Sequence, residues 1–184
     1  WLVFALFFQV GLGDSPLRSG LAVTPFAVGS AVSSALGGRL VVRFGRWVTV
    51  TGLAASVLGF TATAVVLVLA PGTDAMWAIA LPLLVAGVGA GLVISPNITL
   101  TLRQVPVRMA GSAGGALQTG QRIGAAVGTA ALPGVYYMVL EATGGDVRLA
   151  VAAALGGAVA TALVALAVGV AELRAERVWR AAGA

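Results

Sequence analysis

The apolar positions of the chain fall into long runs that short groups of turn-forming residues separate. Five runs are long enough to span a bilayer, since a helix needs about 20 apolar residues to cross its hydrocarbon core. They cover residues 19–42, 48–70, 75–102, 107–140 and 147–171. The separators contain Gly, Pro, Asp and Ser, which favour turns. The pattern predicts an all-α membrane protein whose helices form one domain over residues 1–184.

A shorter apolar run, residues 1–12, stands before these five. Twelve helical residues reach only about 18 Å, well short of the hydrocarbon core, so this run predicts a truncated first span. Residues 172–184 are rich in charge. They are predicted to form a tail outside the bilayer.

Composition supports the membrane interpretation. The chain is 59% hydrophobic and only 9% charged, whereas soluble domains carry about 25% charged residues. It contains no Cys and no His, so it offers neither a Cys/His metal site nor an imidazole base. Ala110–Gly114 is superficially similar to a nucleophile elbow, but without His its usual base is missing. We therefore predict no enzyme, no cofactor and no bound metal.

The basic residues are all Arg, and their positions predict topology. Two of them, Arg18 and Arg148, fall on the side of the first loop. The other side holds eight: Arg39, Arg43, Arg46, Arg103, Arg108, Arg174, Arg177 and Arg180. Because cytoplasmic loops carry the positive excess, that side and the C-terminus are predicted to be cytoplasmic in a multi-pass protein of the plasma membrane. This placement also removes the case for nucleic-acid binding that a pI near 11.4 would otherwise make.

Polar side chains inside the spans are the candidate functional residues. Gln9 lies in the first span, and Gln118, Gln121 and Arg122 lie in the fifth. A charge inside a bilayer is costly and by default marks a functional site. The alternative is a structural Arg122 that donates hydrogen bonds to carbonyls of a neighbouring helix. No carboxylate falls within a span, so any proton acceptor that a proton-coupled carrier would need must lie outside this sequence.

Glycines recur at short spacing along the fifth span. They are Gly111, Gly115, Gly120, Gly124 and Gly128. Small residues four apart allow helix backbones to approach closely. The series predicts a helix-packing face and carries no information on a substrate.

The segment between the second and third spans resembles the cytoplasmic loop signature of the major facilitator superfamily, G-x-L-x-D-R-x-G-R. The matching positions are Gly38, Leu40, Arg43, Gly45 and Arg46. Val42 stands where that signature has its acidic residue. The resemblance implies that this loop latches the ends of the helices while the transporter changes conformation.

Two further segments are similar to the fourteen-span drug:proton antiporters of EmrB/QacA type. One runs from Phe8 to Leu21 and resembles their Q-x-x-x-G-x-S-P-x-x-A-G-L motif. The other runs from Ala110 to Gly124 and resembles their A-G-x-A-S-G … T-x-R-Q-x-G stretch, with Arg and Gln exchanged in order. The resemblance implies the C-terminal six-helix half of such a transporter, built from two inverted three-helix repeats.

The function that this resemblance implies is export of hydrophobic or amphipathic drugs by proton antiport. The expected partners are the lipid bilayer, the small substrate, protons and the N-terminal half of the same transporter. Two alternatives stay open: a major facilitator permease for another small metabolite, and a non-transporting membrane scaffold.

Overall fold

The computed structural model describes residues 1–69, 74–102 and 105–182, and every regular element in those ranges is helical. The all-α fold class is confirmed. In chain order the elements are α1 (Leu2–Ala5), a π-helical segment (Leu6–Gly11), α2 (Pro16–Phe44), α3 (Trp47–Leu69), α4 (Ala75–Ala78), α5 (Ala80–Leu102), a 3-10 turn (Val107–Met109), α6 (Ala110–Ala142) and α7 (Val147–Ala182).

Four of the described helices are long and apolar enough to cross a membrane. They are Pro16–Phe44, Trp47–Leu69, Val107–Ala142 and Val147–Arg174. Two shorter apolar helices cover Leu2–Gly11 and Ala80–Ile94. The protein is therefore a multi-pass membrane protein. The predicted separator at 71–73, and Ala70 before it, lie outside the described residues, as do Arg103 and the side chains of Arg177 and Arg180.

The span predicted over residues 75–102 folds as two helices, α4 and α5, with a break at Ile79. Pro82 explains the position of the break. Its nitrogen carries no hydrogen to donate to the carbonyl of Ala78, and its ring crowds that carbonyl. The helix axis continues nevertheless, because the backbone N–H of Leu83 donates to the Ile79 carbonyl at 2.9 Å.

Side-chain oxygens cap the helices that begin after turns. The backbone N–H of Arg18 donates to Ser15 Oγ at 3.3 Å, at the start of α2. Asp146 Oδ1 accepts from the backbone N–H groups of Arg148 and Leu149, both at 3.0 Å, at the start of α7. Such caps satisfy donors that have no partner inside the helix. Helix α7 does not end at Ala171, where the predicted span ends, but continues to Ala182 through the predicted tail.

The helices form one layer-like bundle in which α5 lies between α2 and α3. Helix α3 also packs against α7, and α7 in turn packs against α6. The close approach of α5 to its neighbours depends on glycine. A Cβ atom added to Gly29 of α2 would lie 2.6 Å from the Leu84 carbonyl oxygen, and one added to Gly52 of α3 would lie 2.8 Å from the Gly89 carbonyl oxygen.

The hydrophobic core lies around the first span. Phe7 and Phe8 of the π-helical segment are fully buried, together with Ile79, Leu83 and Val151. The π register appears as a hydrogen bond from the Leu12 N–H to the Phe7 carbonyl at 2.9 Å, five residues back. The first span is thus held firmly by the helices around it.

Candidate functional site

The two ends of the bundle carry different charge patterns. One end, here the Asp14 end, holds the turn before α2 and the starts of α4 and α7. The opposite end, here the Arg46 end, holds the turn between α2 and α3 and the start of α6.

At the Asp14 end, one arginine connects two loops. The Arg18 guanidinium donates to the carboxylate of Asp14 at 3.1 Å and also to that of Asp74. Asp74 Oδ1 in addition accepts from the backbone N–H of Met76 at 3.1 Å. Arg148 Nη1 donates to the Leu67 carbonyl at 3.0 Å and so joins α7 to α3. These contacts fix the helix ends on this side.

The signature loop lies at the Arg46 end. Helix α2 ends at Phe44, and Gly45 follows with φ +57°, a backbone conformation that favours glycine. The Gly45 N–H donates to the Val41 carbonyl at 2.8 Å and closes the turn. Val42, which replaces the acidic residue of the signature, is 85% exposed. Glycine at position 45 is therefore a requirement of the turn itself.

Arg46 is the signature residue that reaches a distant helix. Its guanidinium forms an ion pair with the carboxylate of Glu172 on α7. The Arg43 guanidinium instead lies 5.3 Å from the ring centre of Phe44. Gly38 is exposed and Leu40 half-buried, both within α2. The structure thus connects the loop to α7 through Arg46, a contact that the sequence alone did not indicate.

A groove of about 680 Å³ runs along one face of α2 beside Trp1. Most of its walls are small or hydroxyl side chains. They are Gly20, Thr24, Ala27, Ser30, Ala31 and Ser34, with Val23 and Phe26. Ser33, one position from Ser34, is buried instead and donates to the Ser30 carbonyl at 3.3 Å. Ser30 and Ser34 therefore line the open groove, whereas Ser33 lies at the contact between α2 and α5.

The polar residues predicted for the fifth span lie on α6, and they are exposed. Every residue from Gln118 to Val127 is exposed, which includes Gln121 and Arg122. Among the described residues, no hydrogen bond or ion pair is found for the Arg122 guanidinium. Tyr136 is the buried residue of α6, near its other end. The middle of α6 thus presents a charge and two amides away from the rest of the bundle.

Gln9 is also exposed, in the π-helical segment of the first span. No side-chain hydrogen bond of Gln9 is found within the described ranges. The four candidate residues therefore share exposure in otherwise apolar helices. That they line one cavity stays a prediction.

The glycine series on α6 faces open space. A Cβ atom added at Gly111, Gly115, Gly120, Gly124 or Gly128 would meet nothing within 4 Å in the described part of the chain. The prediction that these glycines form a packing face therefore stays a prediction, and it requires a partner helix outside the described residues. The packed glycines are those of α5 and its neighbours, among them Gly87, Gly89 and Gly91.

The fold and these exposed polar positions define a helical, multi-pass membrane protein. A family model described as Major Facilitator Superfamily matches residues 1–129, and the chain belongs to that family. Membership confirms the resemblance to that superfamily and the prediction that the chain is part of a transporter, not an enzyme. No solved structure matches the chain.

Curated relatives share about a third of their aligned residues with this chain. A probable actinorhodin transporter of Streptomyces coelicolor is 33% identical over 140 residues, which cover 76% of this chain and 24% of that protein. A tetracycline resistance determinant of Streptomyces rimosus is 34% identical over 73% of this chain and 38% of its own length. The multidrug resistance protein Stp of Mycobacterium tuberculosis is 32% identical over 77% of this chain and 26% of its own length. The chain thus spans well under half of these relatives.

Proposed function

We propose that this chain forms the C-terminal half of a transporter that exports hydrophobic or amphipathic drugs in exchange for protons. The observation that carries the proposal is the exposed group of Gln118, Gln121 and Arg122 in the middle of an apolar helix. Polar groups at such depth are costly unless they face protein or a water-filled cavity. A cavity between this half and an N-terminal half supplies that environment.

The names of the relatives support drugs as the substrate class. Two of the three proteins described above are named for drug resistance and one for probable transport of actinorhodin. The groove on α2 agrees with a bulky apolar substrate, because its walls combine small side chains with a few hydroxyls. Ligand sites are mostly apolar with a small number of placed polar groups. We propose a fourteen-span architecture of EmrB/QacA type for the whole protein.

Proton coupling is the part of the proposal that depends on residues elsewhere. Asp14, Asp74 and Asp146 cap or precede helices at one end of the bundle, and Glu172 is paired with Arg46 at the other. We therefore propose that the N-terminal half carries the proton acceptor, and that the Arg46 end and the C-terminus face the cytoplasm of a cell whose plasma membrane holds the protein.

The export proposal is tested in a bacterial strain that lacks its own drug pumps. The full-length parent is expressed, cells are loaded with ethidium, and efflux is followed with and without a proton uncoupler. We expect efflux that the uncoupler abolishes. Efflux that persists with uncoupler contradicts proton antiport, and no efflux of any lipophilic cation contradicts drug export. In the second case, uptake of a sugar or another metabolite by the same cells would favour the permease alternative.

A further inference from the structure

A second groove, of about 570 Å³, runs along the surface of α7. Its lining residues recur every three or four positions and so share one helix face: Leu163, Leu166, Ala167, Val170, Ala171 and Arg174. At 1.5 Å per residue the groove is about 16 Å long. That is about half of the roughly 30 Å hydrocarbon core, or the depth of one leaflet.

The groove faces away from the rest of the described bundle. The other side of α7 packs against α3: a Cβ atom added to Gly169 would lie 3.3 Å from Val50 Cγ2, and Leu173 is only 8% exposed. Leu163 and Ala171 are exposed. An occupant of the groove must therefore approach from the side of α7 that the other described helices leave uncovered.

The charge at the end of the groove indicates what that occupant is. Arg174 is exposed and forms no ion pair with a described residue. The nearest described carboxylate along α7, that of Glu172, is paired with Arg46. Two residues of helix place Glu172 and Arg174 about 200° apart. The groove is thus apolar over its length and ends in a guanidinium that no carboxylate compensates among the described side chains.

This arrangement matches an anionic phospholipid better than a second helix. A guanidinium binds phosphate oxygens in a two-pronged geometry, and a phospholipid carries its phosphate at the end of an apolar chain. A helix in the groove would leave the Arg174 charge desolvated unless it supplied a carboxylate at the same height. We propose that the α7 groove binds one anionic phospholipid, with an acyl chain along Leu163–Ala171 and the phosphate at Arg174. The assignment goes beyond drug export. It rests on the proposed function in one respect only: if the Arg46 end faces the cytoplasm, as proposed above, the lipid belongs to the cytoplasmic leaflet.

The test uses the full-length protein purified in detergent, with bound lipids counted by native mass spectrometry. Dioleoyl phosphatidylglycerol is compared with dioleoyl phosphatidylcholine, and glycerol phosphate serves as the soluble form of the headgroup. Arg174→Gln removes the charge and Ala167→Phe fills the groove. The matched controls are Arg108→Gln, an exposed arginine of the same end outside the groove, and Ala165→Phe, an exposed alanine on another face of α7.

We expect the Arg174→Gln protein to bind phosphatidylglycerol about fivefold more weakly, the size of effect of one basic residue at an anionic surface. Ala167→Phe should weaken binding of both lipids, and Arg174→Lys should restore most of the preference for the anionic one. Both controls should bind as the unchanged protein does. Equal losses in Arg174→Gln and Arg108→Gln would overturn the site in favour of diffuse attraction. If both Phe variants lose lipid binding equally, or if glycerol phosphate displaces the lipid fully, the groove is not the binding site of the acyl chain. Ethidium efflux is measured separately, so failure of the lipid site leaves the export proposal independently testable.

Discussion

Two sets of glycines, similar in spacing, have different surroundings in this molecule. On α5, Gly87 and Gly91 are four residues apart, and Cβ atoms at these positions would overlap the backbone of α2. On α6, Gly120 and Gly124 have the same spacing, yet Cβ atoms there would meet nothing within 4 Å of the described residues. Spacing alone therefore does not identify which helix face is in contact.

The polar residues follow the same division. Beside the α5 glycines, Ser56 of α3 is buried and its hydroxyl donates to the Ala86 carbonyl at 3.4 Å. Beside the α6 glycines, Arg122 and both glutamines are exposed. A face that combines glycines with unsatisfied polar groups in an apolar helix is suited to a protein or water-lined partner and poorly suited to lipid. The comparison teaches that α5 holds the described helices together, whereas the middle of α6 has an open face, the one that we propose lies toward the other half of the transporter.

The largest expected effect is that of a single methyl group on α5. In Gly87→Ala the new Cβ would lie 2.8 Å from Phe26 Cα and overlap the Phe26 carbonyl. Because the neighbour is backbone, the helices must separate, and we expect a loss of about 3 kcal/mol of unfolding free energy, the upper part of the range for overpacking. The measurement is thermal or denaturant unfolding of the purified chain in detergent.

The matched control is Gly120→Ala on α6. It has room for the methyl group, and it should change the stability of the chain by less than about 1 kcal/mol, in the stabilising direction that helix propensity gives. In the full-length parent the same change should reduce efflux if α6 packs against the other half. Equal destabilisation of the chain by both variants would show that the two glycine sets do not differ in this way.

The second prediction concerns the charge on α6. Arg122→Leu should lower ethidium efflux by the parent at least tenfold, which corresponds to about 1.4 kcal/mol, at unchanged expression. The reason is that the side chain has no partner among the described residues and is therefore available to the transport pathway. Arg108→Gln, a change in an exposed arginine at the end of the bundle, is the control. Normal efflux by Arg122→Leu would favour a role in which this arginine only faces solvent.

The third prediction concerns the connection of α6 to α7. Asp146→Ala removes the carboxylate that accepts from two backbone N–H groups at the start of α7. We expect a loss of about 1 kcal/mol of unfolding free energy, typical of a lost N-cap. Glu141→Ala is the control, since no side-chain contact of Glu141 is found in the described part of the chain. A similar loss in both variants would argue for a general effect of negative charge at this end.

Much of the fold could be predicted from the sequence, because apolar length and turn residues decide where helices lie in a membrane. The predicted span at 19–42 corresponds to Pro16–Phe44, and that at 107–140 to Val107–Ala142. The π-helical segment at Leu6–Gly11 could not be predicted, because an i to i−5 register is selected by the packing of Phe7 and Phe8 and not by their own preference. The break at Ile79 is accounted for by Pro82 once the structure is known, because the missing donor and the crowding fall on the carbonyl four residues earlier.

The site was less accessible to sequence reasoning. Gln9 and Arg122 could be identified as candidates because a polar residue inside an apolar run is apparent from the sequence, without knowledge of the tertiary structure. The contact between Arg46 and Glu172 joins residues 126 positions apart, and the sequence contains no sign of which arginine meets which carboxylate. The choice between the α5 and α6 glycines likewise depends on which helices are neighbours, which is a property of the tertiary arrangement.

The smallest expected effect is that of this long-range ion pair. The Arg46 and Glu172 side chains are 35% and 51% exposed, so water and salt screen their attraction. In a double-mutant cycle, the free energy of unfolding is measured for Arg46→Gln, Glu172→Gln and the double variant. The coupling free energy between the two changes should be below about 1 kcal/mol. The cycle is needed because Arg46 has a further interaction, so that its single substitution alone removes more than the pair.

We expect the coupling to fall towards zero in 1 M salt, where the screening length is about 3 Å. A coupling well above this value that resists salt would mean that the pair is shielded from water in the assembled transporter. The Glu172 end of α7 would then resemble the packed region around α5 and not the open face of α6.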